Sequence, residues 1–246
     1  QHMKTIWVIY SVILVYYLLG TIGIYFINRR KEPDIRRRAW IKHITYFIVT
    51  SIVFFSIGIN PVAFRIVAVL IIIAGFLELL RLFKESGFAG KGFFTISFVI
   101  MVLMSLGFIL FSMKEKGLVL FAFLILSIFD GFSQVSGQLL GKTKLFPGIS
   151  PNKTVEGLAG GALVAILSGL VFKNLVPVDS FRAMVLATVV VVFAFAGDAL
   201  KSLYKRKYNV KDFSNLIPGH GGVLDRFDSL IAGGAGVTLL GLLMTF

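Results

Sequence analysis

Long apolar runs alternate with short charged segments from one end of the sequence to the other. A hydrocarbon core of roughly 30 Å requires about 20 consecutive apolar residues in a helix, so each run predicts one membrane-spanning helix. Eight spans are predicted, at 5–27, 44–60, 62–82, 93–113, 117–140, 157–173, 182–200 and 223–245. Their short connections predict an all-α, polytopic bundle of about eight transmembrane helices. We expect a single domain over 3–246, with helices 1–4 in 3–116 and helices 5–8 in 117–246.

Composition excludes several classes of protein. The chain is 57% hydrophobic and 15% charged, whereas soluble domains carry about 25% charged residues, so a water-soluble globule is excluded. It has no cysteine, which excludes disulfide scaffolds, thiolate catalysis and cysteine-ligated metals. The first apolar run is too long for a signal-peptide core and lacks a small-residue cleavage site, so we expect it to be retained. Gln1 and His2, which precede Met3, are interpreted as an added remnant.

The charge balance predicts how the helices cross the membrane. The formal net charge is +13, from 25 Lys and Arg against 12 Asp and Glu. A basic balance is often typical of nucleic-acid binding, but in a membrane protein it indicates cytoplasmic loops and contact with anionic head groups or phosphates. We therefore expect membrane lipids and no nucleic acid as partners. Eighteen basic residues fall on the side of the odd-to-even loops and five on the other, which predicts cytoplasmic odd-to-even loops and both termini outside.

Five acidic residues lie within the predicted spans or at their ends, although charge in a membrane is costly and marks a functional site by default. They are Glu78, Asp130, Asp198, Asp225 and Asp228. The predicted topology brings all five to one depth, near the cytoplasmic leaflet. Scattered structural acids would not be expected to share a depth.

Asp225 and Asp228 are spaced i, i+3, so both carboxylates lie on one face of a helix and repel each other unless a cation lies between them. Mg²⁺ prefers carboxylate oxygen and combines one or two carboxylates with substrate phosphates. The alternative is that Asp225 pairs with Arg226 or a loop lysine, or caps the helix N-terminus. The pair alone leaves both interpretations open, and Asp198 at the same depth favours the metal.

Two polar segments have the character of phosphate sites. Glycines at 219, 221 and 222 allow backbone N–H groups to approach an anion at a helix N-terminus, and His220 could contact a phosphate or assist proton transfer. Upstream basic residues suit phosphates, although cytoplasmic anchoring explains some of them. In the segment 150–157, Ser150 or Thr154 could cap the next helix in a capping box with Glu156. Lys153 and the hydroxyls could equally bind a phosphate there, and both interpretations can hold together.

These segments carry a family resemblance. The motifs are SPNKTVEG at 150–157 and SLYKR, KD and LIPGHGGVLDRFD between 202 and 228, with Asp130, Gly137, Gly141-Lys142 and Gly197-Asp198 beside them. Together they resemble the signature of the phosphatidate cytidylyltransferase (CDP-diacylglycerol synthase) family. The resemblance covers roughly 125–235, whereas the first half is similar only in being a run of apolar helices.

The resemblance implies a membrane enzyme that transfers CMP from CTP to a lipid phosphate, most simply phosphatidate, and releases pyrophosphate. It implies Mg²⁺, with room for a second cation, in the cytoplasmic leaflet of a bacterial-type inner membrane, and a homodimer by analogy. The implied metal ligands are Asp198, Asp225 and Asp228, which are also catalytic together with Lys205, Arg206 and His220. The implied substrate-binding residues are Ser150, Lys153, Thr154, Glu156, Lys211, Gly221, Gly222 and Asp130.

The chain departs from the family pattern around this set. Lys201 stands where the family often has an acid, which removes a ligand for a second cation. The other departures are Tyr204, Phe213, Gln134 and Gln138, and they leave the lipid acceptor open. Two rival functions remain: a CTP-dependent polyprenol or lipid kinase, which would release CDP, and a transporter, whose acids would be spread along a pathway or at the midplane.

Overall fold

Every predicted apolar run is helical in the computed structural model, which describes residues 2–243, with side chains from Ile6 onward except at Leu19 and Ile27. The helices are α1 His2–Asn28, α2 Pro33–Ile59, α3 Pro61–Glu85, α4 Lys91–Ser112, α5 Lys116–Leu140, α6 Val155–Phe172, α7 Ser180–Lys207 and α8 Leu224–Leu243. Within the described chain these eight are long and apolar enough to cross a membrane, which confirms the prediction of an all-α polytopic bundle. Gln1 and the predicted end of the last span at 245 lie outside the described residues.

Two helices extend well beyond their predicted spans. Helix α2 begins at Pro33 rather than at 44, and α7 continues to Lys207 rather than ending at 200. Hydropathy misses both extensions because they are basic, yet Lys and Arg are good helix formers whose stems lie along apolar surface while the charges reach water. The extension of α7 places Asp198, Lys201 and Lys205 on one helical face.

A two-stranded antiparallel hairpin, which the sequence did not predict, joins α5 to α6. Its strands are β1 Lys144–Phe146 and β2 Ser150–Thr154, with Lys144 opposite Thr154. Thr154 caps α6, because its Oγ1 accepts a hydrogen bond from the backbone N of Gly157 at 3.1 Å. The capping box with Glu156 is wrong: that carboxylate accepts instead from the backbone N of Lys142 and of Thr143, both at 3.1 Å.

Small residues allow the helices that surround the site to pack closely. A Cβ on Gly161 of α6 would lie 2.8 Å from the carbonyl O of Phe129 in α5. A Cβ on Gly107 of α4 would lie 2.8 Å from Cβ of Ala235 in α8, and Thr238 Oγ1 donates to the carbonyl O of Gly107 at 2.8 Å. Helices α5, α6, α7 and α8 thus enclose one space, and α3 and α4 pack against the outside of α8.

Candidate active site

A polar cavity of about 700 Å³ opens between the end of α5, the hairpin and start of α6, the second half of α7 and the start of α8. Its volume falls in the range of about 300–1,000 Å³ that is usual for small-molecule sites. Four of the five predicted acids line it, together with three cationic side chains. The lining acids are Asp130, Asp198, Asp225 and Asp228, and the cations are Lys153, Lys201 and Arg226.

Asp198 and Asp228 come from neighbouring helices and share one lysine. Lys201 Nζ lies 2.8 Å from Asp198 Oδ1 and 3.0 Å from Asp228 Oδ1. Lys153 forms an ion pair with the other oxygen of Asp198, whereas Asp228 Oδ2 is buried and has no hydrogen-bond partner among the described residues. The two carboxylates therefore converge, as predicted, but each is held by ammonium groups of the chain itself.

Asp225 has a different environment, because both of its oxygens are engaged and its side chain is only 5% exposed. Oδ1 accepts from Lys205 Nζ at 2.6 Å. Oδ2 accepts from the backbone N of Phe213 at 2.7 Å and from that of Gly222 at 2.9 Å. Asp225 thus ties the end of α7 and the connection 208–223 to the start of α8, close to the structural alternative that the i, i+3 spacing had left open.

The fifth acid, Glu78, lies on α3 and holds the same end of α8 from the other side. Its carboxylate accepts from the backbone N of Val223 at 2.9 Å and of Leu224 at 2.8 Å, and from Ser214 Oγ at 2.6 Å. A carboxylate at a helix N-terminus also interacts favourably with the helix dipole. Four of the five acids thus line the cavity, while Glu78 acts as a structural anchor of α8 from the other side.

Some of the predicted phosphate-binding residues line the cavity, and the others lie outside its lining. Lys153 and Thr154 line the cavity, and burial together with the nearby Lys201 lowers the pKa of Lys153 to about 8. Arg206 donates to the carbonyl O of Ile149 at 3.0 Å and of Val210 at 3.1 Å, so it fastens the hairpin to the end of α7. The predicted residues that lie outside the cavity lining are Ser150, Glu156, Lys205, Arg206, Lys211, His220, Gly221 and Gly222.

His220 lies in a turn that closes on itself. The backbone N of Ile217 donates to the carbonyl O of Gly221 at 2.8 Å, and Gly221 has φ +82°, a conformation that favours glycine. The His220 ring is buried and stacks on the ring of Tyr46, with the ring centroids 6.3 Å apart. Burial, reinforced by the positive charge of Arg226, lowers its pKa to about 4, so the imidazole is neutral at pH 7.

This shift predicts an acid sensitivity of the fold. The pKa of His220 falls from 6.5 to about 4 on folding, so its neutral form stabilises the protein fully above pH 6.5 and this stability is lost as the pH falls toward 4. We expect a loss of about 2 kcal/mol by pH 5, at about 1.36 kcal/mol per pKa unit. The test compares the melting temperatures of wild type and His220→Gln in detergent at pH 7.5 and pH 5. The drop in melting temperature between the two pH values should be larger in wild type, and an equal drop in both proteins would contradict the prediction.

The carboxylates that line the cavity suit Mg²⁺, provided that substrate phosphates and water supply the rest of its ligands. Among the described residues, no three acidic or histidine side chains converge closely enough to enclose a metal ion. Asp228 Oδ2 is nevertheless a buried carboxylate oxygen that no described residue contacts by a hydrogen bond, and Asp198 lines the same cavity. Such hard oxygen donors suit Mg²⁺, which commonly takes one or two carboxylates and completes its shell with phosphates and water. The metal role of Asp198, Asp225 and Asp228 stays a prediction, to which Asp228 is best suited, because both oxygens of Asp198 and of Asp225 already have partners.

Several cavity residues were missed by sequence reasoning. Lys201 was noted only as a departure, although its i, i+3 spacing from Asp198 placed both on one face once α7 was extended. Arg226 was considered only as a partner of Asp225. Gln134 and Gln138, also noted as departures, line the cavity beside Ser133 and Asn152, and no sequence pattern had singled out Asn152 for this role.

Comparison with known proteins finds one matching family and several similar relatives. The sequence model of the Cytidylyltransferase family matches residues 2–244. A phosphatidate cytidylyltransferase of Staphylococcus epidermidis is 44% identical over 131 residues, which are 51% of this chain and 50% of that protein. One of Bacillus subtilis is 44% identical over 104 residues, 42% of this chain and 39% of the relative. One of Staphylococcus aureus is 38% identical over 131 residues, 51% of this chain and 50% of the relative.

The chain spans about half the length, or somewhat less, of the curated relatives that it matches. The family match, in contrast, covers nearly the whole chain and includes every residue that lines the cavity. The resemblance of the second half is thereby confirmed, and it extends to the first half. This chain belongs to the Cytidylyltransferase family.

Proposed function

We propose that this protein transfers CMP from CTP to a membrane lipid phosphate, with phosphatidate as the expected acceptor, to give CDP-diacylglycerol and pyrophosphate. The observation that carries the proposal is a cavity of mixed charge, built from four membrane helices of a cytidylyltransferase family member. Relatives named phosphatidate cytidylyltransferase support the choice of acceptor.

The cavity supports a reaction between two anions. In the proposed step, an oxygen of the lipid phosphate attacks the α-phosphorus of CTP and the bond to the β-phosphate bridging oxygen breaks, so pyrophosphate leaves with the bonding electrons. The acceptor oxygen is already ionised at pH 7, so no strong general base is needed. The difficulty is electrostatic, and Lys153, Lys201 and Arg226 supply positive charge in the cavity wall.

Asp228 would hold Mg²⁺ in this scheme, with Asp198 beside it in the cavity wall. When bound, the ion would offset negative charge that develops on the leaving pyrophosphate. The connection 208–223, held by Asp225 and Glu78, keeps the start of α8 in register with α7, so that Asp228 faces the same space as Asp198. The neutral His220 supports that connection by packing rather than by charge.

A second, apolar cavity supports a lipid as the acceptor. It has a volume of about 180 Å³ and is lined mostly by apolar side chains of α3, α4, α7 and α8, among them Ile96, Ile100 and Met104. Lys201 and Asp228 line both this cavity and the polar one. An amphipathic substrate could therefore place its phosphate at these two residues while its apolar part stays among membrane helices.

The proposal also includes the orientation of the protein in the membrane. The basic odd-to-even loops favour a site that faces the cytoplasm, with both termini outside, so CTP enters from the aqueous side and the lipid from the bilayer. The clustering of the acids at one end of the bundle disfavours a transporter, in which acids would mark a path across the membrane.

A panel of nucleotides and acceptors tests the proposal. Purified protein with Mg²⁺ and either phosphatidate or a polyprenol is given each labelled nucleoside triphosphate in turn, and the lipid product and the released nucleotide or pyrophosphate are measured. We expect CDP-diacylglycerol with CTP, together with an equal amount of pyrophosphate. CDP as the product, with polyprenol as the preferred acceptor, would establish the kinase instead; CTP-independent solute flux in proteoliposomes, without lipid product, would establish a transporter.

A further inference from the structure

The ammonium of Lys201 lies between two carboxylates that belong to different helices. Its Nζ is 2.8 Å from Asp198 Oδ1, 3.0 Å from Asp228 Oδ1 and 3.3 Å from the carbonyl O of Asp225. The ammonium donates hydrogen bonds to Asp228 Oδ1 and to the carbonyl O of Asp225, and it forms an ion pair with Asp198. The side chain of Lys201 is only 12% exposed, which separates this arrangement from an ordinary surface ion pair.

Three carboxylates around the start of α8, those of Asp198, Asp225 and Asp228, are matched by three ammonium groups of the chain. Each of the three carboxylates contacts an ammonium group from the chain: Asp198 contacts Lys153, Asp228 contacts Lys201 and Asp225 contacts Lys205. Two converging acids normally attract a cation because they repel each other, and here that attraction is already met by Lys201. Of the six oxygens of these carboxylates, Asp228 Oδ2 is buried without a partner in the part of the chain that the structure describes, so it can provide one ligand.

We propose that Lys201 is a tethered cation, which occupies the position between Asp198 and Asp228 that a metal ion would otherwise take. The free protein therefore binds divalent cations weakly, and Mg²⁺ enters the cavity already bound to nucleotide phosphates, with Asp228 Oδ2 as a protein ligand. This deepens the proposed function, on which its relevance to catalysis rests, although the binding of cations is measurable on its own.

Binding of Mn²⁺ to the purified full chain, without CTP or lipid, tests the proposal through the electron paramagnetic resonance signal of the free ion. Wild type is expected to bind Mn²⁺ weakly. Lys201→Met should tighten binding at least about tenfold, because one unit of positive charge next to two carboxylates is removed. Lys201→Glu should tighten it further, because it adds a third carboxylate.

Lys207→Met is the matched control. Lys207 lies on the same helix and loses the same charge, but it is exposed and outside the cavity lining, so its Mn²⁺ affinity should equal that of wild type. If Lys201→Met does not fold, Lys201→Gln keeps a polar side chain of similar length without the charge. Tight Mn²⁺ binding by wild type, or equal affinity in wild type and a folded Lys201 variant, would overturn the proposal. Because CTP and lipid are absent, a failure of CMP transfer leaves this readout unaffected.

Discussion

An Asp228→Asn variant is expected to fold normally and to lose CTP turnover by about a hundredfold or more, the scale of removing one group that stabilises transition-state charge. Within the described part of the chain, Asp228 Oδ2 is buried and has no hydrogen-bond partner, so the substitution removes charge from the site and weakens the ion pair with Lys201. The measurement is kcat with CTP and phosphatidate, with melting temperature as the check on folding.

Asp34→Asn provides the control for this substitution. Asp34 lies in the first turn of α2, is exposed and is outside the cavity lining, so the same chemical change there should leave turnover near that of wild type. Turnover of Asp228→Asn close to that of Asp34→Asn would remove Asp228 from the reaction and with it the metal assignment.

Glu78→Ala is expected to cause the largest loss of stability. It leaves the buried backbone N–H groups of Val223 and Leu224 without their acceptor and releases Ser214. Buried donors without partners cost about 1–3 kcal/mol each, and the loss of a charge at the helix N-terminus adds to that, so we expect about 3–5 kcal/mol in total. Thermal unfolding in detergent micelles measures it.

Glu85→Ala, on the same helix, is the comparison. Glu85 makes an exposed i, i+4 ion pair with Arg81 at 2.6 Å, and exposed pairs of this kind contribute about 1 kcal/mol or less. If Glu78→Ala unfolded at the same temperature as Glu85→Ala, the role of Glu78 as the anchor of α8 would be wrong.

Much of the architecture was predictable because hydrophobic spans have a physical length. The eight apolar runs are eight helices in the described chain, and four of the five acids predicted to share a depth line one cavity. The start of α2 and the end of α7 were not predictable from hydropathy, since these turns are basic and lie where charges reach water.

The assignment of individual carboxylates was less predictable, because it depends on which neighbour reaches each oxygen. Asp225 and Asp228 are equivalent in the sequence pattern, yet Asp225 is fully engaged by Lys205 and two backbone N–H groups, whereas Asp228 keeps a free oxygen. These partners come from α7 and from the connection 208–223, and no local pattern specifies such contacts.

The departures from the family pattern become interpretable in three dimensions. Tyr204 and Phe213 stack on each other with ring centroids 5.7 Å apart, and Tyr204 Oη donates to the carbonyl O of Leu79 at 2.9 Å. These two unusual residues thus form one packing unit beside Lys205, whose Nζ lies 5.9 Å from the Phe213 ring centroid. In the sequence they are two separate departures from the family pattern, whereas in the structure their rings pack together.

The position of label in the lipid product tests the central claim most directly. CTP labelled at the α-phosphorus and CTP labelled at the γ-phosphorus are each incubated with the purified protein, Mg²⁺ and phosphatidate, and the extracted lipid is counted. Transfer of CMP predicts that the α-label enters the lipid and the γ-label leaves as pyrophosphate. Entry of the γ-label into lipid, or of neither label, would contradict the account.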